Sequence, residues 1–229
     1  MGQAANQLLL GCGGNDSGTL QNGVIASYKL SDLVDASGNG RDLTNNGVAT
    51  FGTPAKIGNA GQFDGALTQS LSSTDAGFIL TTFTLAAWFR YTALSAAIIG
   101  KKGTGGNSLG YEMFISGAAD LTLSIEDSIG FTLVGYGTSL VANQWYLGIA
   151  WCDVAANEVG ISLDNGTPVT DLAGRTPGTS GGPFCLGASN LDFSLHSGQI
   201  DIATVWNRVL TAAERTSYYN GGTGVEWPF

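Results

Sequence analysis

Five glutamates, one histidine and three cysteines are the side chains of this 229-residue chain best suited to chemistry. Two carboxylates can share acid and base duties only when both reach one bond. Glu112, Glu126, Glu158, Glu214 and Glu226 are widely spaced, and only Glu126 has an acidic neighbour, Asp127. Adjacent strand residues point to opposite faces, so that pair does not form an acid–base couple. His196 is the sole histidine, so a Ser-His-Asp or Cys-His relay would have to run through it. It stands in DFSLHSG, which reads as a loop before a long strand, and it is expected at the surface or on an edge. The glycines of GCGG and KGTGG lack the G-K-[ST] ending of a phosphate-binding loop. The adjacent Lys101-Lys102 reads as part of a loop.

Oxygen ligands are better represented. Calcium takes carboxylates and backbone carbonyls, and SDLVDASGNG gathers Asp32, Asp35 and Asn39 in a turn-rich stretch. The competing reading is an Asx-type turn, in which these side chains bond their own backbone. QLLLGCGGNDSG resembles a lipoprotein processing site at Cys12, but a secretory leader needs a basic n-region and an apolar core of roughly 7–15 residues. MGQAANQ has no Lys or Arg, and the apolar run is only Leu8, Leu9 and Leu10. Cys12 is therefore expected to be an ordinary thiol. All three cysteines are expected to be free, with a Cys152–Cys185 bond left open because both lie in predicted strands.

Net charge is -9, which disfavours nucleic acid and anionic membranes, since phosphate contacts need clustered Lys and Arg. No apolar run approaches the roughly 20 residues of a helical membrane span. With 43% hydrophobic and 12% charged residues the chain has material for a substantial core. The 35 glycines are scattered between apolar runs, which implies many turns.

Nine runs have strand character: 24–30, 83–92, 96–100, 110–116, 121–127, 131–136, 145–153, 158–164 and 198–208. They mix alternation with near-continuous apolar stretches, as expected of strands packed inside two stacked sheets. Asp164-Asn165-Gly166 is a hairpin signal. One helix is predicted, with Thr211 and Glu214 as a T-x-x-E capping box and Gly221-Gly222 as the stop. Trp88, Trp145, Trp151 and Trp206 fall inside strands and are expected in the core. Tyr111, Tyr136 and Trp227 are the better candidates for a sugar-stacking surface, while Trp227 and Phe229 could instead dock on the domain or a neighbouring subunit. Residues 1–20 read as a flexible Gly-rich tail and 21–229 as one domain.

SYKLSDLVDASGNGRDLTNNG (27–47), KIGNAGQFDG (56–65), FTLAAWF (83–89), NQWYLGIAW (143–151), ISLDNG (161–166), PFCLGA (183–188) and GQIDIATVWNRVLTAAERTSYYNGG (198–222) follow one another in an order that resembles the LamG-like (laminin G type 3), concanavalin A-like family. The resemblance implies an all-β, two-sheet antiparallel jelly-roll β-sandwich with one short C-terminal helix. It also implies a structural calcium between the early loop, through Asp35 and Asn39, and Asp201 of a late strand. Hydrolases of related fold carry E-x-D-x-x-E or E-x-D-x-E on one strand, and neither occurs here, so an enzyme is not expected.

The closing YYNGGTGVEWPF is similar to versions of the module in bacteriophage particles. A non-catalytic decoration or structural protein of a virion, made in the bacterial cytoplasm, is the function this resemblance implies. Its partners would be capsid or tail components, host surface polysaccharide and further copies of the chain, with Leu8, Leu9 and Leu10 as the attachment cluster. The alternative is an extracellular carbohydrate-binding lectin module without a virion role.

Overall fold

The computed structural model describes residues 17–65, 69–103, 109–191 and 194–229. After a short helix α1 (Ser17–Leu20) come β1 (Val24–Tyr28), β2 (Thr44–Asn46), β3 (Thr50–Gly52), β4 (Ala60–Phe63) and β5 (Ser70–Ser73). The middle of the chain supplies β6 (Phe83–Tyr91), β7 (Ala96–Lys102), β8 (Gly110–Ile115), β9 (Leu121–Glu126) and β10 (Phe131–Gly135). Then follow β11 (Tyr146–Asp153), β12 (Glu158–Leu163), β13 (Val169–Leu172), β14 (Phe184–Leu186), β15 (Gly198–Trp206) and helix α2 (Ala212–Tyr219).

Among the described residues these strands form two antiparallel sheets. The first runs β13-β12-β11-β6-β15-β4-β3, with β1 also on β15, and the second runs β10-β9-β8-β7-β14-β5-β2. Together they make the jelly-roll sandwich that the order of motifs implied. Each of the nine predicted runs contains a strand. Outside the nine runs lie β2, β3, β4, β5, β13 and β14, each of three or four residues and too short to show a period; of these only β14, which holds Cys185, was expected as a strand.

Alternation explains the core. On β6, Leu85, Ala87 and Phe89 face the second sheet, while Ala86 and Trp88 face outward into a second apolar cluster with Leu147, Ile149, Trp151, Trp206 and Tyr218. The middle strands of the first sheet, β6, β11 and β15, are therefore buried on both faces, which is why they read as almost unbroken apolar runs. The outer cluster is covered by α1, α2 and the closing residues. Leu20 is buried and its carbonyl accepts a 2.7 Å bond from Trp206 Nε1, so residues 17–20, read from sequence as tail, are part of the fold. Phe229 stacks on Trp206 at 6.0 Å and meets Tyr218 edge-on at 5.4 Å. The chain's end docks on its own domain.

β15 changes neighbours along its length. Gly198–Ile200 pairs with β4, Ala203–Trp206 pairs with β1, and the register against β6 shifts between Asp201 and Thr204. Ile202 sits in this bulge with φ 45, a conformation a β-branched residue rarely adopts. At the hairpin signal, Asp164 and Asn165 have φ 48 and 57, and Gly166 N–H closes on the Leu163 carbonyl at 2.8 Å. Positive φ at both central residues fits the strand twist.

Candidate functional site

The outer face of the second sheet brings together side chains that lie far apart in sequence. Register sets one cross-strand row as Lys102, Gly110 and Glu126, and the next as Cys185, Gly100, Glu112, Ser124 and Leu133. Gly110 has no side chain between Lys102 and Glu126, and at φ 129 a Cβ there would strike the Lys101 carbonyl. Lys102 Nζ reaches across β8, lying 3.0 Å from Glu126 Oε2 and 3.6 Å from Glu112 Oε2. Burial pushes the Glu112 carboxyl up, against the pull of Lys102 and a hydroxyl contribution from Ser189.

Two walls frame this polar floor. On one side the backbone of Ala188 and Ser189 lies against Gly100, and Asn190 Nδ2 bonds the Gly103 carbonyl at 3.0 Å. On the other, edge strand β10 presents Phe131 and Leu133, 61% and 47% exposed, on the same face as Glu126 and Ser124. Large apolar side chains held in water beside a hydrogen-bonding floor are the ingredients of a binding surface.

Several sequence expectations change. Lys101-Lys102 is not a loop: both end β7, and Lys101 is buried, its ammonium bonded to the Ser180 and Gly182 carbonyls. Burial pulls the Lys101 amine below its usual range. His196 is fully buried instead of sitting at the surface or an edge, with Nε2 3.1 Å from the Arg90 carbonyl and its ring edge-on to Phe63. Burial holds it down at about 4. Tyr111 is a core residue whose hydroxyl donates to the Phe78 carbonyl at 2.9 Å, and Tyr136 packs against the core. Tyr111 therefore offers no sugar platform, whereas Tyr136 is only partly buried. Trp88, Trp151 and Trp206 are buried as expected, but under the outer cluster instead of between the sheets, and Trp145 is partly buried there. Cys152 and Cys185 are both buried and are not bonded to each other. Leu8, Leu9, Leu10 and Cys12 lie outside the described residues.

Asp35, Asn39 and Asp201 are not drawn into one ligand set. Asp35 Oδ1 accepts from the Ser27 and Ser37 backbone and the Ser37 hydroxyl, and Oδ2 accepts from Arg41 N–H. Asn39 spends its amide on the Val24 and Ile25 carbonyls. This is the self-bonded turn: each Asp35 carboxylate oxygen already accepts from a backbone N–H. Asp201 lies in the β15 bulge, where Oδ2 accepts from Lys56 and Ile57 N–H at 2.8 Å each. Oδ1 is buried without a hydrogen bond, and burial pushes the carboxyl up to about 7. Among the described residues no three His, Cys, Asp or Glu side chains converge as a metal group.

The convergence of Glu112, Glu126 and Lys102 was missed. Its signal was present but unread: the hairpin that pairs Ile115 with Leu121 also pairs Gly110 with Glu126, so the turn's position fixes both glutamates on one face.

The model of the concanavalin A-like lectin/glucanases superfamily matches residues 63–214. No curated protein sequence matches the chain. Among solved structures, the binding domain of Paraclostridial Mosquitocidal Protein 1 superimposes with a TM-score of 0.69 at 12% identity, covering 88% of this chain and 53% of that one. Domain 4 of AbnA, a GH43 extracellular arabinanase from Geobacillus stearothermophilus, solved with arabinotriose, gives 0.67 at 16% identity, covering 88% and 98%. The botulinum neurotoxin serotype D binding domain gives 0.67 at 13%, covering 89% and 53%. This chain thus spans about half the length of the two toxin chains and nearly all of the arabinanase domain.

Proposed function

The chain belongs to the concanavalin A-like lectin/glucanases superfamily, and from that premise we propose that it is a non-catalytic module that binds a hydroxyl-rich, uncharged glycan on the outer face of its second sheet. The observation that carries this reading is the Lys102–Glu112–Glu126 cluster beside exposed Phe131 and Leu133. Sugar hydroxyls donate to carboxylates, and the C–H face of a sugar ring packs on an aromatic side chain. Two carboxylates against one ammonium repel an anionic sugar. The solved neighbour from the arabinanase, held with arabinotriose, supports the ligand class by analogy of fold.

Catalysis is not part of the proposal. A hydrolytic pair needs one carboxyl to protonate the leaving group while the other attacks or activates water. Here both glutamates are drawn to the same ammonium, and Glu112 is buried. The setting we propose is the surface of a bacteriophage particle, supported by the resemblance of the closing residues 218–229, with Leu8, Leu9 and Leu10 as the attachment cluster; mass spectrometry of purified particles tests it.

Binding is tested on an array of neutral oligosaccharides, followed by calorimetry of the best ligand. Phe131→Ala, an exposed position, should keep the melting temperature and weaken binding at least tenfold. Equal affinity of wild type and variant would sink the site.

A further inference from the structure

The outer side of the first sheet holds a different feature. An open cleft of ≈ 250 Å³ lies between the Asn165–Pro168 turn and α2, with Thr167, Pro168, Ala212 and Arg215 in its lining. Arg215 is the ionisable group in that lining, and no carboxylate accompanies it.

Its guanidinium is held in place before any ligand arrives. The carbon at its centre sits 4.6 Å from the Trp151 ring centroid, and Nη1 donates to the Leu210 carbonyl at 2.6 Å. Trp151 is itself fixed: its Nε1 donates to Glu158 Oε1 at 2.9 Å, and the indole lies over Gly160, where a Cβ would collide with it. A guanidinium has five N–H donors. Among the described residues Arg215 spends one of them, on Leu210, and makes no ion pair within 4 Å. Glu158 and Glu214 attract Arg215 electrostatically without pairing with it, their own hydrogen bonds going to Trp151 and to Arg208. In a chain of net charge -9, a half-buried, stacked cation with unspent donors in the lining of an open cleft is a place for an anion.

From this geometry we infer that the cleft binds the carboxylate of an acidic sugar unit, with Arg215 as its fork. A planar guanidinium braced on an aromatic ring matches a planar carboxylate with two parallel N–H bonds. Thr167 supplies a hydroxyl for the sugar's own hydroxyls, and Pro168 and Ala212 give its C–H face an apolar rest. The cleft is smaller than a drug-sized pocket and suits a single sugar unit. It is separate from the carboxylate-lined face of the second sheet, so an acidic chain end would be taken here and excluded there.

The test is a two-dimensional NMR titration of the full ¹⁵N-labelled chain with D-glucuronate, reading the Trp151 indole and Thr216 amide signals. Saturable shifts are expected, with affinity at least tenfold weaker in Arg215→Gln and in Arg215→Lys, which keeps the charge and loses the fork. Methyl glucoside should leave both signals unmoved. Equal binding by Arg215→Lys, or binding of methyl glucoside or inorganic phosphate as tight as that of glucuronate, overturns the inference. Loss of neutral-glycan binding in Phe131→Ala leaves these signals untouched, so failure of one site is distinguishable from failure of the other.

Discussion

Lys102 meets Glu126 across residue 110, a glycine where a Cβ would strike the Lys101 carbonyl. A missing side chain also matters at Trp151, which lies over Gly160 and in turn braces Arg215. His196 shows the opposite case, a polar ring enclosed by the core. Its folded-state value of about 4 lies below the ordinary 6.5. Between those values the unfolded chain takes up a proton that the folded chain refuses. The associated stability is therefore full above pH 6.5 and lost as pH falls toward 4. His196→Gln should remove that part of the acid sensitivity, on the order of 3 kcal/mol between pH 7 and pH 4. Urea midpoints of wild type and variant at the two pH values measure it; an unchanged slope in the variant would show that His196 does not titrate differently on folding.

At the scale of elements, α2 follows its sequence signal closely. Thr211 Oγ1 accepts from Glu214 N–H at 3.2 Å, Glu214 Oε2 accepts from Thr211 N–H at 2.8 Å, and Asn220 ends the helix at φ 50, one residue before the predicted glycine stop. Arg208 adds a bidentate pair to Glu214 and holds its carboxyl down at about 2. The helix is short, so the cap is a large share of what sets its start. Thr211→Ala should cost about 1 kcal/mol in urea unfolding, with the far-ultraviolet spectrum unchanged. A loss below a few tenths of a kcal/mol would mean that Arg208 and Glu214 hold the helix start unaided. The strand elements teach a complementary lesson. Long apolar runs such as 83–92 were legible, whereas β2 and β5, with their TNN and SLSS, exist only because neighbouring strands offer them partners.

For the whole molecule, the decisive feature is the additional layer on the first sheet. Trp88 and Trp206 are almost completely buried, and much of their cover comes from α2 and the closing residues. Tyr219 stacks on Trp88 at 5.9 Å, and Lys56 Nζ sits 4.0 Å from the same ring centroid. Deleting residues 223–229 removes Val225 and Phe229 from this cluster while leaving the core between the sheets intact. The truncated chain should stay folded, lose about 2–4 kcal/mol, and show tryptophan emission shifted to the red. Identical melting and emission would mean that the ending does not cover the cluster.

The sequence by itself determined the fold class, the longer strands, the capped helix and the absence of a hydrolase motif, because each of these is a local pattern of side-chain period or spacing. It also contained the Asx turn at Asp35, since that carboxylate bonds residues close to it in the chain as well as Ser27. Tertiary structure alone decided which residues share a surface. Lys102, Glu112, Glu126 and Phe131 meet through strand register, and Arg215 meets Trp151 because α2 folds back over the first sheet. The burial of His196 and Tyr111 was decided in the same way. Whether a polar or aromatic side chain ends in water or in the core depends on what packs over it, and that partner lies far away in sequence.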